Sequence, residues 1–229
     1  MVRIVAVSKR CSIFTKTLMA AIAAVTFATA SSAATLDFDY GGGSASTNDA
    51  DLGTSAVLDL TFADVGQDLV NLTVLATNTS DATTGGFLTA FGFVLPDVTS
   101  VTGVLIDTAF SLQEFSGTQT LASFGGLELN VGVGTGGDYE GGGSPQSAIG
   151  IAQTATYIFT LATNQTAAAL EASFLALAEN AAVRFRGLTD GGSDKLTNIS
   201  LAPVPLPASA LLLLAGLAGL GFLSRKKIA

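Results

Sequence analysis

Apolar and polar residues alternate along four stretches in the central part of the chain. In each stretch every second residue is apolar, and the residues between are mostly Thr, Asn, Asp or Arg. The apolar positions are Ala56, Leu58, Leu60 and Phe62; Val70, Leu72, Val74 and Ala76; Ala155, Tyr157, Phe159 and Leu161; and Val183 and Phe185. Because successive side chains of a strand point to opposite faces, each stretch is predicted to be a β-strand with one buried face.

Glycine and proline mark turns between these predicted strands. Gly66-Gln67-Asp68 is predicted to close a hairpin, Gly85-Gly86 precedes a strand over residues 87–94, and Pro96-Asp97 ends that strand. Further short strands are predicted at residues 101–107, 127–133 and 197–201. Many short antiparallel strands with Gly-rich turns indicate an all-β protein, an antiparallel β-sandwich of jelly-roll-like type.

One segment lacks this alternation. Residues 166–178 are rich in Ala and Leu, which predicts a short α-helix capped by Thr166 or Asn164. Leu170, Phe174 and Leu177 would share one face of this helix, laid across an end of the sandwich. Two other segments, residues 41–54 and 134–145, are rich in Gly, Ser and acidic residues and are predicted to be long flexible surface loops.

Residues 1–33 have the organisation of a signal peptide. The cations Arg3, Lys9, Arg10 and Lys16 precede the uncharged, mostly apolar residues 17–30, and small residues follow. We therefore expect export across the inner membrane, with cleavage by a signal peptidase after Ala33 or Ala34. The one cysteine, Cys11, would be removed, and residues 34–202 would fold as one exported domain without disulfides.

The segment 203–229 has the features of a membrane anchor. Residues 208–223 carry no charge and include seven Leu. As a helix they would be about 24 Å long, against roughly 30 Å of hydrocarbon. Arg225, Lys226 and Lys227 follow, and they would extend the reach by snorkelling and hold this end in the cytoplasm. The pattern predicts a single transmembrane helix.

The same segment resembles a known sorting signal. Val204-Pro205-Leu206-Pro207-Ala208, a short apolar helix and a terminal Arg-Lys-Lys are similar to the VPLPA variant of the PEP-CTERM signal of Gram-negative bacteria. In the commoner form a Glu stands where this chain has Leu206. The resemblance implies recognition by an exosortase-type membrane protease, removal of the helix, and transfer to the cell surface or extracellular matrix. Residues 87–96 and 184–195 also resemble segments of the β-sandwich domains that carry such signals.

The exported domain would be strongly acidic. All 18 Asp and Glu lie between residues 34 and 203, whereas only Arg184, Arg186 and Lys195 of the ten cations do, which gives a formal charge of −15. Such a domain repels nucleic acid, so no nucleic-acid partner is expected. Its acidity is compatible with saline surroundings or with attraction of cations.

Missing residue types restrict the chemistry of the domain. The chain has no His and the exported domain no Cys, which excludes His- or Cys-based nucleophilic triads and His- or Cys-ligated zinc. Asp138 and Glu140 are a possible carboxylate pair, but solvated carboxylates make poor general acids. We therefore predict no catalytic activity and no required cofactor.

Calcium is the metal that the composition favours, because it binds carboxylate and carbonyl oxygens. Asp190 and Asp194 are the weak candidates for a structural calcium site, and the alternative is a turn capped by Asp190. Asp37 with Asp39, and Asp49 with Asp51, form two further acidic pairs.

These observations lead to three functional hypotheses. The first is a non-catalytic protein of the cell surface or of a biofilm matrix, associated with exopolysaccharide. The alternative is a calcium-assisted carbohydrate-binding module, in which Tyr40, Tyr139, Tyr157 and exposed Phe side chains would have to supply the stacking surface. A carboxylate-based glycoside hydrolase is the third.

Overall fold

The structure is a computed structural model that describes residues 31–48 and 50–198. Within these ranges the chain forms thirteen strands, one α-helix and two single-turn 3₁₀ helices. The elements are β1 (Ser31–Asp39), β2 (Ala45–Ser46), β3 (Ser55–Gly66), β4 (Leu69–Asn78), β5 (Gly85–Phe93), β6 (Val98–Leu105), β7 (Leu112–Glu114), β8 (Gln119–Leu121), β9 (Leu127–Leu129), β10 (Val131–Thr135), β11 (Thr154–Thr163), α1 (Ala167–Leu175), β12 (Ala181–Leu188) and β13 (Ser193–Thr197).

The strands form two main antiparallel sheets and a small ribbon. The first sheet has the order β1-β3-β4-β11-β6, and the second has the order β2-β13-β12-β5-β10-β7. Strands β8 and β9 pair only with each other. Tyr157 of the first sheet meets Phe91 of the second edge to face, with ring centroids 5.2 Å apart. The predicted all-β, sandwich-like fold is therefore confirmed.

The four alternating stretches lie on the strands that the sequence predicts. Their fourteen apolar side chains are at most 1% exposed, and they form the core between the sheets. The predicted hairpin also forms, since β3 ends at Gly66 and β4 begins at Leu69. Burying one face of each strand supplies the main favourable free energy of folding.

The second sheet is unusual because it is buried on both faces. A second apolar cluster on its outer side contains Ala90, Phe115, Leu121, Leu129, Tyr139 and Ala182. Gly92 and Gly132 lie opposite each other in the sheet. A Cβ on either glycine would come within 2.7 Å of the Phe115 ring, so glycine at these positions lets the ring approach the strands closely.

Helix α1 packs against the edge of the first sheet, on β1 and β3. Its cap is the predicted one, because the Thr166 hydroxyl accepts a hydrogen bond from the Ala169 N–H. Leu170 and Phe174 are fully buried, and the Phe174 ring lies 6.1 Å from Phe62 and 6.0 Å from Phe93. The helix thus closes the sandwich by contacting both sheets.

Several predicted boundaries differ from the structure. The strand over residues 127–133 is two strands, because the Asn130 side chain bonds to both the N–H and the C=O of Leu95 and interrupts the run. The strand placed at 101–107 spans Val98–Leu105. The strand placed at 197–201 begins earlier, at Ser193, where it pairs with β12.

The two predicted flexible loops are partly wrong. Residues 41–54 contain strand β2, which pairs with β13, and Ser44, Ser46 and Thr54 are buried there. In residues 134–145, Tyr139 is only 1% exposed. Both segments are held by hydrogen bonds to residues far away in the sequence, which composition does not reveal.

Among the described residues, no helix is long and apolar enough to cross a membrane. The predicted transmembrane helix, residues 208–223, lies outside the described residues, as does most of the predicted signal peptide.

Candidate functional site

The three cations within residues 31–48 and 50–198 all hold one segment, residues 139–143, against the outer face of the second sheet. Arg184 Nη1 donates to the Tyr139 carbonyl at 3.1 Å, and Arg186 Nη1 donates to the Gly141 carbonyl at 2.9 Å. Lys195 Nζ donates to the Glu140 carboxylate. These cations lie on neighbouring strands β12 and β13, so the alternation of the strands brings them to one face.

Tyr139 anchors the segment in the outer apolar cluster. Its hydroxyl donates to the Val183 carbonyl at 2.7 Å, and its ring meets Phe115 with centroids 6.4 Å apart. Burial raises the pKa of this hydroxyl well above its usual range, and the nearby Glu140 carboxylate adds to the effect. Tyr139 is therefore a core residue in a stretch whose glycines predict an exposed loop.

The candidate carboxylate pair does not form a shared site. The Glu140 side chain is 53% exposed and lies 3.2 Å from Arg184 Nη2. Desolvation lowers the pKa of the Arg184 guanidinium, and the Glu140 charge partly opposes this. Asp138 is exposed and accepts a hydrogen bond from the Ser116 hydroxyl at 3.0 Å. Glu140 thus holds the segment through ion pairs with Arg184 and Lys195, while Tyr139 holds it through burial in the outer apolar cluster.

Asp194, one of the two calcium candidates, is fully buried and fastens the 41–54 segment to the second sheet. Its Oδ1 accepts from the Ser46 hydroxyl at 2.7 Å, from Asn48 Nδ2 at 2.8 Å and from its neighbour's backbone N–H at 2.8 Å. Its Oδ2 accepts from the Thr54 hydroxyl at 2.6 Å. Four donors compensate the burial of the carboxylate.

Asp190, the other calcium candidate, is exposed, and its Oδ1 accepts from the Gly192 N–H at 2.8 Å. This is the Asx turn that the sequence offers as the alternative to a metal site. Within residues 31–48 and 50–198, no group of three or more His, Cys, Asp or Glu has an arrangement that would hold a metal ion. Calcium binding stays a prediction.

Asp39 and Asp51 belong to two separate acidic pairs in the sequence, which does not predict that they lie together. Asp39, Asp51 and Asp81 line one shallow depression beside the ends of β1 and β3, together with Ser55 and Thr79. Asp39 and Asp51 each accept the N–H of the residue two positions later, at 3.0 and 2.9 Å. Both residues begin an Asp-x-Gly sequence, which predicts the turn that follows each Asp. It does not predict that the two carboxylates lie near each other.

The remaining predicted functional residues are those of export and sorting. Ala33 and Ala34, the predicted cleavage residues, lie within β1, opposite Thr61 and Leu60 of β3. Partial burial, together with the Asp39 charge, raises the pKa of Asp37 further along this strand. The sorting motif, residues 204–208, the three terminal cations and Asp49 lie outside the described residues.

No protein-family model, curated protein or solved structure matches the chain. A function therefore has to be argued from the residues of this chain.

Proposed function

We propose that this chain is an exported, non-catalytic protein of the cell surface or extracellular matrix, whose destination is set by residues 203–229. One observation carries the proposal, the order of parts in that segment: Val204-Pro205-Leu206-Pro207-Ala208, an uncharged apolar stretch, and three cations. The partners are a signal peptidase, an exosortase-type protease and, at the destination, exopolysaccharide. The jelly-roll-like form of the sandwich belongs to the same proposal.

The described domain supports this proposal because its distinctive polar residues hold surface segments against the second sheet. The three cations hold the 139–143 segment, the buried Asp194 holds the 41–54 segment, and Tyr139 bonds to a strand carbonyl. Each of these contacts stabilises the domain, which has no cysteine for a disulfide. Extracellular proteins are commonly stabilised by disulfides, and here these hydrogen bonds and ion pairs supply stability without them. A domain whose distinctive polar residues stabilise its own fold suits a passive role outside the cell.

The carbohydrate-binding alternative finds little support in the tyrosines. Tyr139 and Tyr157 are 1% and 0% exposed, and Tyr40 packs against the core. Tyr139 and Tyr157 therefore offer no free ring face of the kind that stacks on sugars, and Tyr40 is only partly exposed. Asp39, Asp51 and Asp81 line one depression, and this local negative charge keeps the calcium-assisted module as the second candidate, although these carboxylates do not have the arrangement of a metal site.

Deletion of residues 203–229, followed by fractionation of the native host into membrane, surface and medium, tests the proposal. We expect the shortened protein to be exported and then lost to the medium. Unchanged retention at the surface would show that another part of the chain fixes its destination.

A matched variant separates anchoring from sorting. Replacing Pro205 and Pro207 together by Ala leaves the apolar helix and its cations intact but removes the motif. We expect this variant to stay in the inner membrane with its C-terminal segment still attached. A membrane span does not require these prolines, whereas recognition by the proposed sorting protease does. Normal delivery of the variant would argue that the helix alone directs the protein.

A further inference from the structure

No described element covers the outer face of the first sheet, which is the side that points away from the second sheet. On β1, β3, β4 and β11 the outward side chains are all exposed or half-buried, whereas the side chains between them form the core. The second sheet differs, because an apolar cluster around Phe115 and Tyr139 covers its outer face. We propose that the outer face of the first sheet binds the same face of a second copy of this chain.

Exposed leucines lie in the middle and at one edge of this face. Among the described residues three large apolar side chains are at least 39% exposed, and two of them, Leu75 and Leu105, lie here. Leu105 is opposite Ile158 on the edge strand β6. Leu75 is on β4, the central strand of five, opposite Asp59 on one side and Thr156 on the other. Protein interfaces typically have such an apolar residue at their centre, with polar residues around it.

Several threonines of this face can be covered without losing hydrogen bonds, because their hydroxyls bond to neighbours within it. The Thr77 and Thr154 hydroxyls bond to each other at 3.0 Å, and the Thr160 hydroxyl donates to Asn71 Oδ1 at 2.9 Å. A polar group that already has a partner costs less free energy to bury than one that gives up water for nothing. The face is therefore suited to contact with another protein in spite of its hydroxyl groups.

The distribution of charge favours a second copy as the partner. Three carboxylates of this face, Asp37, Asp39 and Asp59, lie on β1 and β3, whereas β4, β11 and β6 contain no charged residue. Residues 34–203 have a formal charge of −15, so two copies approach with the least repulsion over these uncharged strands. A two-fold axis along β4 places β3 of each copy over β11 of the other, and Asp59 then faces an uncharged strand.

The area of the face matches what a stable dimer needs. Five strands spaced by about 4.8 Å are roughly 24 Å wide, and the nine residues of β1 are roughly 30 Å long at about 3.3 Å each. Each copy would contribute about 700 Å², or about 1,400 Å² together, within the usual range of about 1,200–2,000 Å². Two sheets packed face to face lie about 10 Å apart with their side chains interdigitated, and the proposed contact has the same form.

Disulfide trapping in the full-length chain tests the proposal. Cys11, the only cysteine, is first replaced by Ser, and Leu75→Cys or Leu105→Cys is then introduced. An axis along β4 brings Leu75 next to its own copy, whereas Leu105 is two strands away at the edge. We expect mild oxidation to crosslink Leu75→Cys several-fold more than Leu105→Cys, although Leu105 is the more exposed, at 66% against 39%.

The two leucines separate the possible outcomes. Stronger crosslinking of Leu105→Cys would place the contact at the β6 edge. Equal crosslinking would show random collision, or association through another part of the chain. Either result overturns the proposal, and so does the absence of crosslinked dimer from both variants.

Sedimentation velocity of the full-length chain in mild detergent provides a second measurement. Because the two copies repel each other, added sodium chloride should increase the dimer fraction, which is the opposite of an interface built on ion pairs. Thr156→Glu adds a charge beside Leu75, and Thr118→Glu adds the same charge at an exposed position just before β8. We expect Thr156→Glu to abolish the dimer and Thr118→Glu to leave it at the wild-type level.

The urea midpoint of Thr156→Glu serves as the folding control, and it should equal that of wild type because residue 156 is exposed. A wild-type monomer at every salt concentration would refute the proposal. A dimer that Thr156→Glu leaves intact, or that both variants weaken equally, would refute it as well.

Discussion

Replacement of Asp194 by Ala tests how the second sheet holds the 41–54 segment. Asp194 is 0% exposed, and its carboxylate accepts four hydrogen bonds, from Ser46, Asn48, Thr54 and the backbone N–H of residue 195. Alanine leaves these four donors without their acceptor. Ser46 and Thr54 are themselves only 7% and 2% exposed, so water reaches them poorly.

The expected loss of stability follows from the number of these bonds. A hydrogen bond to a charged group contributes about 1.5–3 kcal/mol, but four bonds to one group do not add, and removing the carboxylate also relieves its own cost of burial. We expect Asp194→Ala to lower the free energy of unfolding by about 3–4 kcal/mol. For a domain of this size that lowers Tm by about 10 °C.

Two control variants make the prediction specific. Asp194→Asn keeps the Oδ1 acceptor at which three of the four bonds end, so about 1–2 kcal/mol should be lost. Asp190→Ala removes only an exposed turn contact to Gly192, and about 0.5 kcal/mol should be lost.

Urea unfolding of the protein, followed by far-ultraviolet circular dichroism because the chain has no Trp, gives the midpoint and slope for each variant. A loss under about 1 kcal/mol for Asp194→Ala, or an equal loss for Asp190→Ala, would refute the reasoning. The same titration with calcium or a chelator asks whether the metal contributes. A shift in wild type that Asp194→Ala abolishes would assign Asp194 to a calcium site.

Three further outcomes are expected from the same unfolding assay. Tyr139→Phe should cost about 1–2 kcal/mol, because it leaves a buried carbonyl of β12 without its donor at 2.7 Å; an unchanged midpoint would contradict this. Gly141→Ala should destabilise the domain far more than Gly142→Ala, since a Cβ at Gly141 would lie 1.7 Å from the Thr135 carbonyl oxygen and one at Gly142 meets nothing within 4 Å; equal losses would count against this packing. Burial raises the pKa of Glu171 in the folded protein. Its stabilising contribution is therefore full below the ordinary glutamate pKa and is lost as the pH rises through the raised value. Glu171→Gln should flatten the dependence of the urea midpoint on pH in that window, and an unaltered pH profile would refute this expectation.

The amino-acid sequence by itself determined the four alternating strands, the main hairpin and the capped helix. Alternation of apolar and polar residues is a local property, and it identifies the buried face of a strand without knowledge of its partners. Leu58 and Phe159, for example, are buried as the pattern predicts. The sequence also shows that the only three cations between residues 34 and 203 lie close together along the chain, but it does not show what they bind.

Tertiary structure alone decided the roles of Tyr139 and Asp194. Tyr139 lies between two glycine-rich runs, yet its ring is buried against Phe115, and its hydroxyl donates a hydrogen bond to a carbonyl 44 residues away. Asp194 has the sequence context of a turn residue, but donors 140 and 148 residues distant enclose it. Neighbouring residues cannot encode such contacts, because chain folding brings together groups that lie far apart in the sequence.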